Sequence, residues 1–310
     1  MGLIAPIIKL QAHSKEADGL ATRGGVVRTG RLDLEAEDNY QPCGTPMADE
    51  TTAELRLERE GGIAFLVIHN PARLNALTSA MWAALPGLLA QAETDASVRV
   101  IVLKGSGGKA FSAGADISEF DSARTGDAAK AYDALNHAAF EALLDAQKPT
   151  IAMIEGFCLG GGLGIAACCD LRIANDAATF AIPAAKLGLG YHPRWVRTLL
   201  TLAPPASIKE LIFTGRRFTA PEALAMGLVN RVHPAAALDG EARSMAETIA
   251  ANAPMTIRAA KAAIDDLTLK PETADIARLE ALVKACFDSA DYAEGRRAFA
   301  EKRKPQFKGA

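Results

Sequence analysis

The sequence predicts a layered α/β fold whose last third is helical, and three observations carry that prediction. A strand–strand–helix order at residues 53 to 93 recurs downstream. An apolar strand, Ile151 to Ile154, runs into three consecutive glycines, Gly160 to Gly162, that open an apolar helix. After Pro204 strand signals give way to helix starts and stops. In order, ELRLERE and IAFLVIHN around Gly61-Gly62 read as a hairpin. Thr78 to Glu93 reads as a helix interrupted at Pro86-Gly87, and VRVIVLKG, 98 to 105, as a strand. Residues 126 to 146 read as a helix with its apolar face at Ala131, Leu135, Ala138 and Ala142. Ser207 with Glu210, and Thr219 with Glu222, are capping-box starts, and Gly215 and Gly227 sit where C-terminal caps belong.

The chain divides into an extension at 1–50, a core at 51–250 and a helical region at 251–310. The extension lacks sustained periodicity. It is either a peripheral arm or the product of an upstream start codon chosen in place of Met47.

Composition narrows the function. The chain has 310 residues, 49% of them hydrophobic, enough for a full core. A formal charge of −3, from 34 basic and 37 acidic side chains, gives no reason to expect nucleic acid or a membrane surface as partner. The five cysteines, Cys43, Cys158, Cys168, Cys169 and Cys286, lack metal-ligand spacing, so no metal is expected and a reducing cytoplasm fits. GLIAPII near the start is short for a signal-peptide core and has no basic run before it.

The triple glycine is the most informative segment. Glycine lets backbone approach a ligand closely, and amides at a helix start lack intrahelical acceptors at the positive end of the helix dipole. The segment therefore suits a developing negative charge, with tight helix packing as the alternative.

Three motifs stand in order: NPARLNALT (70 to 78), KAFSAGADISEF (109 to 120) and the glycine segment KPTIAMIEGFCLGGGLGIAACCD. FTGRRFTAPEALAMGLVNRV and FAEKRKPQF follow. Together they resemble the crotonase superfamily, the enoyl-CoA hydratase/isomerase family, over about residues 53 to 307. The resemblance implies a spiral of ββα units with a C-terminal helical region, assembled as a homotrimer or a hexamer made of two trimers. It implies a coenzyme A thioester as substrate and no permanently bound cofactor. The thioester oxygen would sit between the amides of Ala115 and Gly161, each worth ~3 kcal/mol of transition-state stabilisation. Coenzyme A would run along Arg73 to Ala76 and along Ala113, Asp116 and Ile117, with Arg73 and Lys304 as phosphate partners. Asp116 also reads as a loop-fixing residue, and Lys302 to Lys304 as a solvated basic helix end.

The reaction is set by a departure from the pattern. Hydratases of this family carry two glutamates, and the corresponding positions here are Gly164 and Ala184. Hydration needs groups to activate water and to protonate carbon, so the usual acid and base are absent. Glu155 precedes the glycines and reads as structural. His137 resembles in spacing the base-bearing histidine of 4-chlorobenzoyl-CoA dehalogenase, but the nucleophilic aspartate of that enzyme has no counterpart in GLGYHPRW, where His192 stands nearby. Tyr191 matches a tyrosine of methylmalonyl-CoA decarboxylase. Three readings follow: an acyl-CoA enzyme working through an oxyanion-stabilised enolate, with His137, Tyr191 and His192 as candidate proton carriers; a malonyl-type decarboxylase or lyase using Tyr191; and an acyl-CoA-binding protein without catalysis. Trp195 and Arg194 are placed to shape the acyl pocket.

Overall fold

Strands β1 (Glu54–Glu60) and β2 (Ile63–His69) form the expected hairpin, antiparallel, with Glu60 opposite Ile63. The chain then alternates between two sheets. β3 (Val100–Gly105), β5 (Thr150–Ile154) and β7 (Leu171–Asn175) join the first sheet in parallel, and β10 (Arg231–His233) completes it in the order β1-β2-β3-β5-β7-β10. Each of those three inner strands is followed by a short strand of the second sheet, β4 (Ala110–Ser112), β6 (Phe157–Leu159) and β8 (Thr179–Ala181), which β9 (Phe218–Thr219) closes. Helices α1 (Ser79–Thr94), α2 (Gly126–Leu144) and α3 (Gly161–Cys168) connect successive turns. The result is a spiral of repeated ββα units. The computed structural model describes residues 52–119 and 126–310, with the side chains of 117 and 126–129 outside that description. The extension, its Met47 and Cys43 therefore lie outside the described residues.

β2 is buried along both faces through Ile68, so it shows no alternation, as parallel strands covered on both sides require. One face meets α1 and α3 through Leu66, Ile68, Leu103, Trp82, Leu85 and Leu163. The other meets α7 (Leu238–Ala250) through Phe65, Val67, Val102, Leu238 and Ala242.

Four local readings change. Helix α1 runs through Pro86, because Met81, Trp82, Leu85 and Leu89 are buried on both sides of it and their packing outweighs one lost backbone bond. β3 begins at Val100 instead of 98, since Val98 closes a turn by donating its amide to the Asp95 carbonyl. On α2 the buried positions are Tyr132, Ala139, Phe140 and Leu143, while Ala131 and Ala138 are exposed. Leu135 and Ala142 of the expected face are half-buried and pack against the same core, so the face is turned only slightly, toward the aromatic rings, which have far more area than alanine. Ser207 lies inside α5 (Pro205–Thr214), which starts at the proline pair 204–205, whereas the capping box of Thr219 and Glu222 is formed at the start of α6 (Ala220–Ala225).

The helical end comprises α8 (Pro254–Leu269), α9 (Ile276–Phe287) and α10 (Ala290–Ala300). Lys261 on α8 donates to both carboxylate oxygens of Asp170 at 2.6 Å, and Asp170 also accepts from the Thr150 amide and hydroxyl. This ties the end of the chain to β5 and β7.

Candidate active site

The site is built from two backbone loops that β3 to β6 bring together. The chain after β2 makes a 3₁₀ turn, Pro71–Arg73, then holds Leu74 and Asn75 at φ of 51° and 56°. Side chains rarely adopt that region unaided, and Asn75 is fixed there by its own amide. Its Nδ2 donates to the carbonyls of Ser106 and Ala110 at 2.9 and 2.7 Å, and its Oδ1 accepts from the Asn70 amide at 2.9 Å. The stapled turn delivers Leu77 to the loop after β4. There the Leu77 amide donates to the Gly114 carbonyl and the Asp116 amide donates to the Leu77 carbonyl, a one-residue parallel bridge facing Ala115. In such a bridge the residue between the two bonds directs its own N–H and C=O to the opposite side.

The opposite side is where α3 begins. Gly160 caps the helix at φ 50°, and its amide donates to the Ala181 carbonyl. A Cβ on Gly114, itself at φ 97°, would stand 2.9 Å from the Leu159 carbonyl and 3.2 Å from the Gly161 nitrogen, so the two loops touch through bare backbone. A Cβ on Gly161 would stand 3.8 Å from the Ala115 nitrogen. Among the described residues no carbonyl accepts from the amide of Ala115 or of Gly161. Two unsatisfied donors thus converge beside the first turn of a helix, where the dipole favours negative charge.

Around them runs a chain of aromatic rings. Trp82 is fully buried against Gly161 and donates its indole N–H to the Tyr132 hydroxyl at 3.0 Å. Trp82 meets Phe140 edge to face at 5.4 Å, Phe140 meets Trp195 at 4.5 Å, Trp195 meets His137 at 4.9 Å, and His137 meets His192 at 4.4 Å. Gly164, one helical turn beyond Gly161, faces the Phe140 ring so closely that a Cβ there would stand 2.7 Å from Cζ. His192 caps α4 (Pro193–Leu200), its Nδ1 accepting from the Arg194 amide at 3.2 Å. Arg194 in turn pairs with Glu141 on α2. Burial, then the neighbouring His192, hold the His137 pKa below its ordinary value, with Arg194 adding to the effect and Asp133 opposing it. Burial, and then the Cys168 thiol, push the Tyr191 phenol well above its usual range, so its hydroxyl keeps its proton at neutral pH. That hydroxyl has no hydrogen-bond partner among the described residues. Burial likewise raises the thiols of Cys158 and Cys168, and that of Cys169 to about 12, which makes them inert fillers.

The sequence candidates fall into groups. Ala115 and Gly161 are together, as are His137 and His192. Arg73 donates to Asp116 at 2.9 Å, and Asp116 also accepts from the Ser118 amide and hydroxyl at 2.9 and 2.7 Å. Burial alone would raise the Asp116 carboxyl, but the Ser118 bonds and the Arg73 charge outweigh it and hold it low. Asp116 is therefore a loop-fixing residue in this geometry. Ala76 is buried, Ala113 donates its amide to the Leu74 carbonyl, and the Ile117 side chain lies outside the described residues. Lys304 is exposed beside Arg303, whose guanidinium is held by Glu294 and Glu301. Ala184 is buried in the 3₁₀ turn Pro183–Leu187, and its carbonyl accepts from the Leu189 amide. Glu155 lines a separate cavity of about 440 Å³ with His69 and Lys104. Three residues with no motif to mark them complete the surroundings: Trp82 on α1 and Phe140 on α2 face the glycine helix, and Tyr132 on α2 holds the Trp82 indole. Their only sequence signal was bulk on otherwise alanine-rich helices.

Comparison with known proteins agrees with this architecture. The sequence profile described as enoyl-CoA hydratase/isomerase matches residues 58–310. A short-chain-enoyl-CoA hydratase of Clostridium acetobutylicum is 38% identical over 251 residues, 80% of this chain and 95% of that protein. A carnitinyl-CoA dehydratase of Proteus mirabilis is 35% identical, covering 82% and 98%. Among solved structures, an enoyl-CoA hydratase/isomerase family protein from Hyphomonas neptunium superposes with a TM-score of 0.77 at 40% identity, over 82% of this chain and 97% of that one. The unsatisfied amides, the ββα spiral and these relatives lead to one assignment: the chain belongs to the enoyl-CoA hydratase/isomerase family of the crotonase superfamily.

Proposed function

We propose that this protein processes an acyl-CoA thioester by stabilising its enolate between the backbone amides of Ala115 and Gly161. The observation that carries the reading is the convergence of two N–H groups that have no acceptor among the described residues. A thioester oxygen placed there gains charge as the α-carbon loses a proton, and donors already fixed by the backbone favour the charged state without reorganising. Coenzyme A arrives as part of the substrate, along Arg73 to Ala76 and the loop from Ala113 to Ile117. Arg73 keeps exposed guanidinium surface for a phosphate even while bound to Asp116. Lys304 serves the same anion.

Gly164 and Ala184 stand where a hydratase of this family has its carboxylates, so proton transfer falls to His137, His192 and Tyr191. The names of the relatives direct the choice of substrate toward short enoyl- and 3-hydroxyacyl-CoA thioesters. A second reading, decarboxylation of a malonyl-type thioester, is favoured by one observation: the protonated, partnerless hydroxyl of Tyr191, which suits an orienting group and not a base. Exposed Ile264, Leu267, Ile276, Val283 and Phe287 on the C-terminal helices support assembly into a homotrimer or hexamer. No helix among the described residues is long and apolar enough to cross a membrane, and the free Cys158, Cys168, Cys169 and Cys286 fit a reducing cytoplasm.

Mass-spectrometric screening of enoyl-, 3-hydroxyacyl- and malonyl-CoA thioesters tests the proposal. Turnover of an enoyl or hydroxyacyl thioester supports the first reading and carbon dioxide release the second. Tight binding with no turnover of any of them leaves a binding protein.

A further inference from the structure

We propose that Arg172 is a positioning residue of the oxyanion site: its buried guanidinium, answered by no carboxylate, caps the far end of α3 and strengthens the pull of the Gly161 end on a negative oxygen. This role rests on Ala115 and Gly161 holding an oxyanion, and it extends that site to a residue that touches neither. Arg172 lies on β7 and is 2% exposed. Its side chain has five acceptors, and all are neutral carbonyl oxygens. Nε donates to Leu228 O at 2.8 Å, Nη1 to Cys169 O and Ala166 O at 2.6 and 3.4 Å, and Nη2 to Asp170 O and Asn230 Oδ1 at 3.5 and 3.4 Å. Ala166 lies in the last turn of α3 and Cys169 is its C-cap. The carboxylate of Asp170, two residues away, is answered by Lys261, whose Nζ is 2.6 Å from both oxygens.

Burial works against a charge in this place, and a guanidinium keeps it because of its high basicity. The negative pole of α3 is what the cation meets. A helix carries about +0.5 charge at its start and about −0.5 at its end. With eight residues α3 is about 12 Å long, so an anion in front of Gly161 feels both poles. Arg172 cancels the far pole and leaves a net positive charge behind it. Residues Gly162–Cys168 are all buried and none is charged, so neither water nor a side chain screens the path along the helix. Coulomb's law over about 12–15 Å, at an effective dielectric constant of about 20, shifts the ionisation of a group held at the amides by about one pH unit, or tenfold.

The cation is also fixed to the sheet. Arg172 stands opposite Ala152 in the β5–β7 register, its amide donates to Asn230 Oδ1 at 2.8 Å, and the Asn230 amide donates back to the Arg172 carbonyl at 2.9 Å. The charge therefore holds its distance from Gly161 while substrate comes and goes.

Acetoacetyl-CoA bound to the full chain tests the role without turnover. Its activated C–H gives a proton to solvent and leaves the electron pair in an enolate, which is read by its near-ultraviolet absorbance. In the wild-type protein the ionisation midpoint should lie below that in water. Arg172→Gln, which keeps a hydrogen-bonding side chain without the charge, should raise the bound midpoint by about one pH unit, whereas Arg172→Lys should leave it low. Lys261→Met tests the same charge without touching Arg172, because it leaves the Asp170 carboxylate unanswered beside the guanidinium. It should raise the midpoint, and adding Asp170→Asn should bring it back. A purely structural role would lower the melting temperature of these variants and leave the midpoint of the folded complex where it was. A rise as large in Arg172→Lys as in Arg172→Gln, or none in Lys261→Met, overturns the role of Arg172 and leaves the two amides standing. A wild-type midpoint equal to that in water removes the oxyanion site and this role with it.

Discussion

Gly164 and Phe140 are matched in space: the phenyl ring fills the place a side chain on Gly164 would need, with Cζ 2.7 Å from where its Cβ would stand. Phe140 is held at both edges, by Trp82 at 5.4 Å and Trp195 at 4.5 Å, so it cannot swing aside without disturbing the chain of rings. Gly164→Ala should therefore lower stability by about 1–3 kcal/mol as an overpacked site, measured by urea denaturation. The double variant Gly164→Ala with Phe140→Ala should be less unstable than the sum of the singles, because the clash exists only while the ring is there. Additive losses would mean that the two positions do not share that space.

Gly161 offers a way to remove a single amide. It occupies the first helical position of α3, where proline is tolerated because its missing N–H has no helical partner. Both Gly161→Ala and Gly161→Pro add a Cβ against the Trp82 ring, at 3.0 Å from Cζ2, but only the proline deletes the donor. The proline variant should turn over the screened thioester at least ~10²-fold more slowly than the alanine variant, with similar thermal stability. Equal rates would show that this N–H does not hold the oxyanion.

Much of this was legible in the sequence because it is local. The hairpin at Gly61-Gly62, the glycine-led helix and the Thr219 capping box are each written within a few residues. Of the candidate site, Ala115 and Gly161 could be named through their motifs. The Leu77 bridge that turns the Ala115 amide outward joins segments 38 positions apart and has no local signature. Pro86 misled because its local cost is certain while the packing that overrides it is tertiary. The α2 face is legible at Leu135 and Ala142 but not at Ala131 and Ala138, for a related reason. Alanines mark a helical period without marking a side, and only the partners Trp82 and Trp195 show that Phe140 and His137 matter.

The Lys261–Asp170 pair ties the helical end to the sheets and should dominate its docking. The lysine side chain is 10% exposed and the aspartate 26%, with both oxygens within 2.6 Å of Nζ. Lys261→Met leaves a partly buried carboxylate with only the Thr150 donors, and loss of one partner of such a pair costs about 3–5 kcal/mol. The lower end is expected because those donors remain. Chemical denaturation reads the loss, and Asp170→Asn combined with Lys261→Met should recover part of it by removing the unpaired charge.

Tyr191 separates the two catalytic readings. Its phenol is raised above its usual range by burial, so at neutral pH it can donate a hydrogen bond but not act as a base. If it orients a departing carboxylate, Tyr191→Phe should abolish carbon dioxide release from malonyl-type thioesters. Exchange of the α-proton of butanoyl-CoA should survive in the same variant, since the proposed route for that step uses the two amides and a histidine and not Tyr191. Loss of both activities together, with the fold intact by circular dichroism, would place Tyr191 at the α-carbon itself.

Asp265 on α8 gives the fold a pH dependence of its own. Burial raises its carboxyl from 3.8 to about 6, Asp170 and Asp266 push in the same direction, and Lys261 and Lys270 oppose them. The folded chain thus binds this proton more tightly than the unfolded chain does. The stability carried by the protonated form is fully present below 3.8 and is lost as pH rises through about 6. Asp265→Asn keeps a neutral group of the same shape, so it should melt several degrees higher than the wild type at pH 7.5. The gap should close as pH falls toward 4, where both forms are neutral in the fold. Lys261 sharpens the test, because in Lys261→Met the main opposing charge is gone and the benefit of Asp265→Asn at pH 7.5 should grow. A gap independent of pH would assign the gain to packing and not to the buried charge.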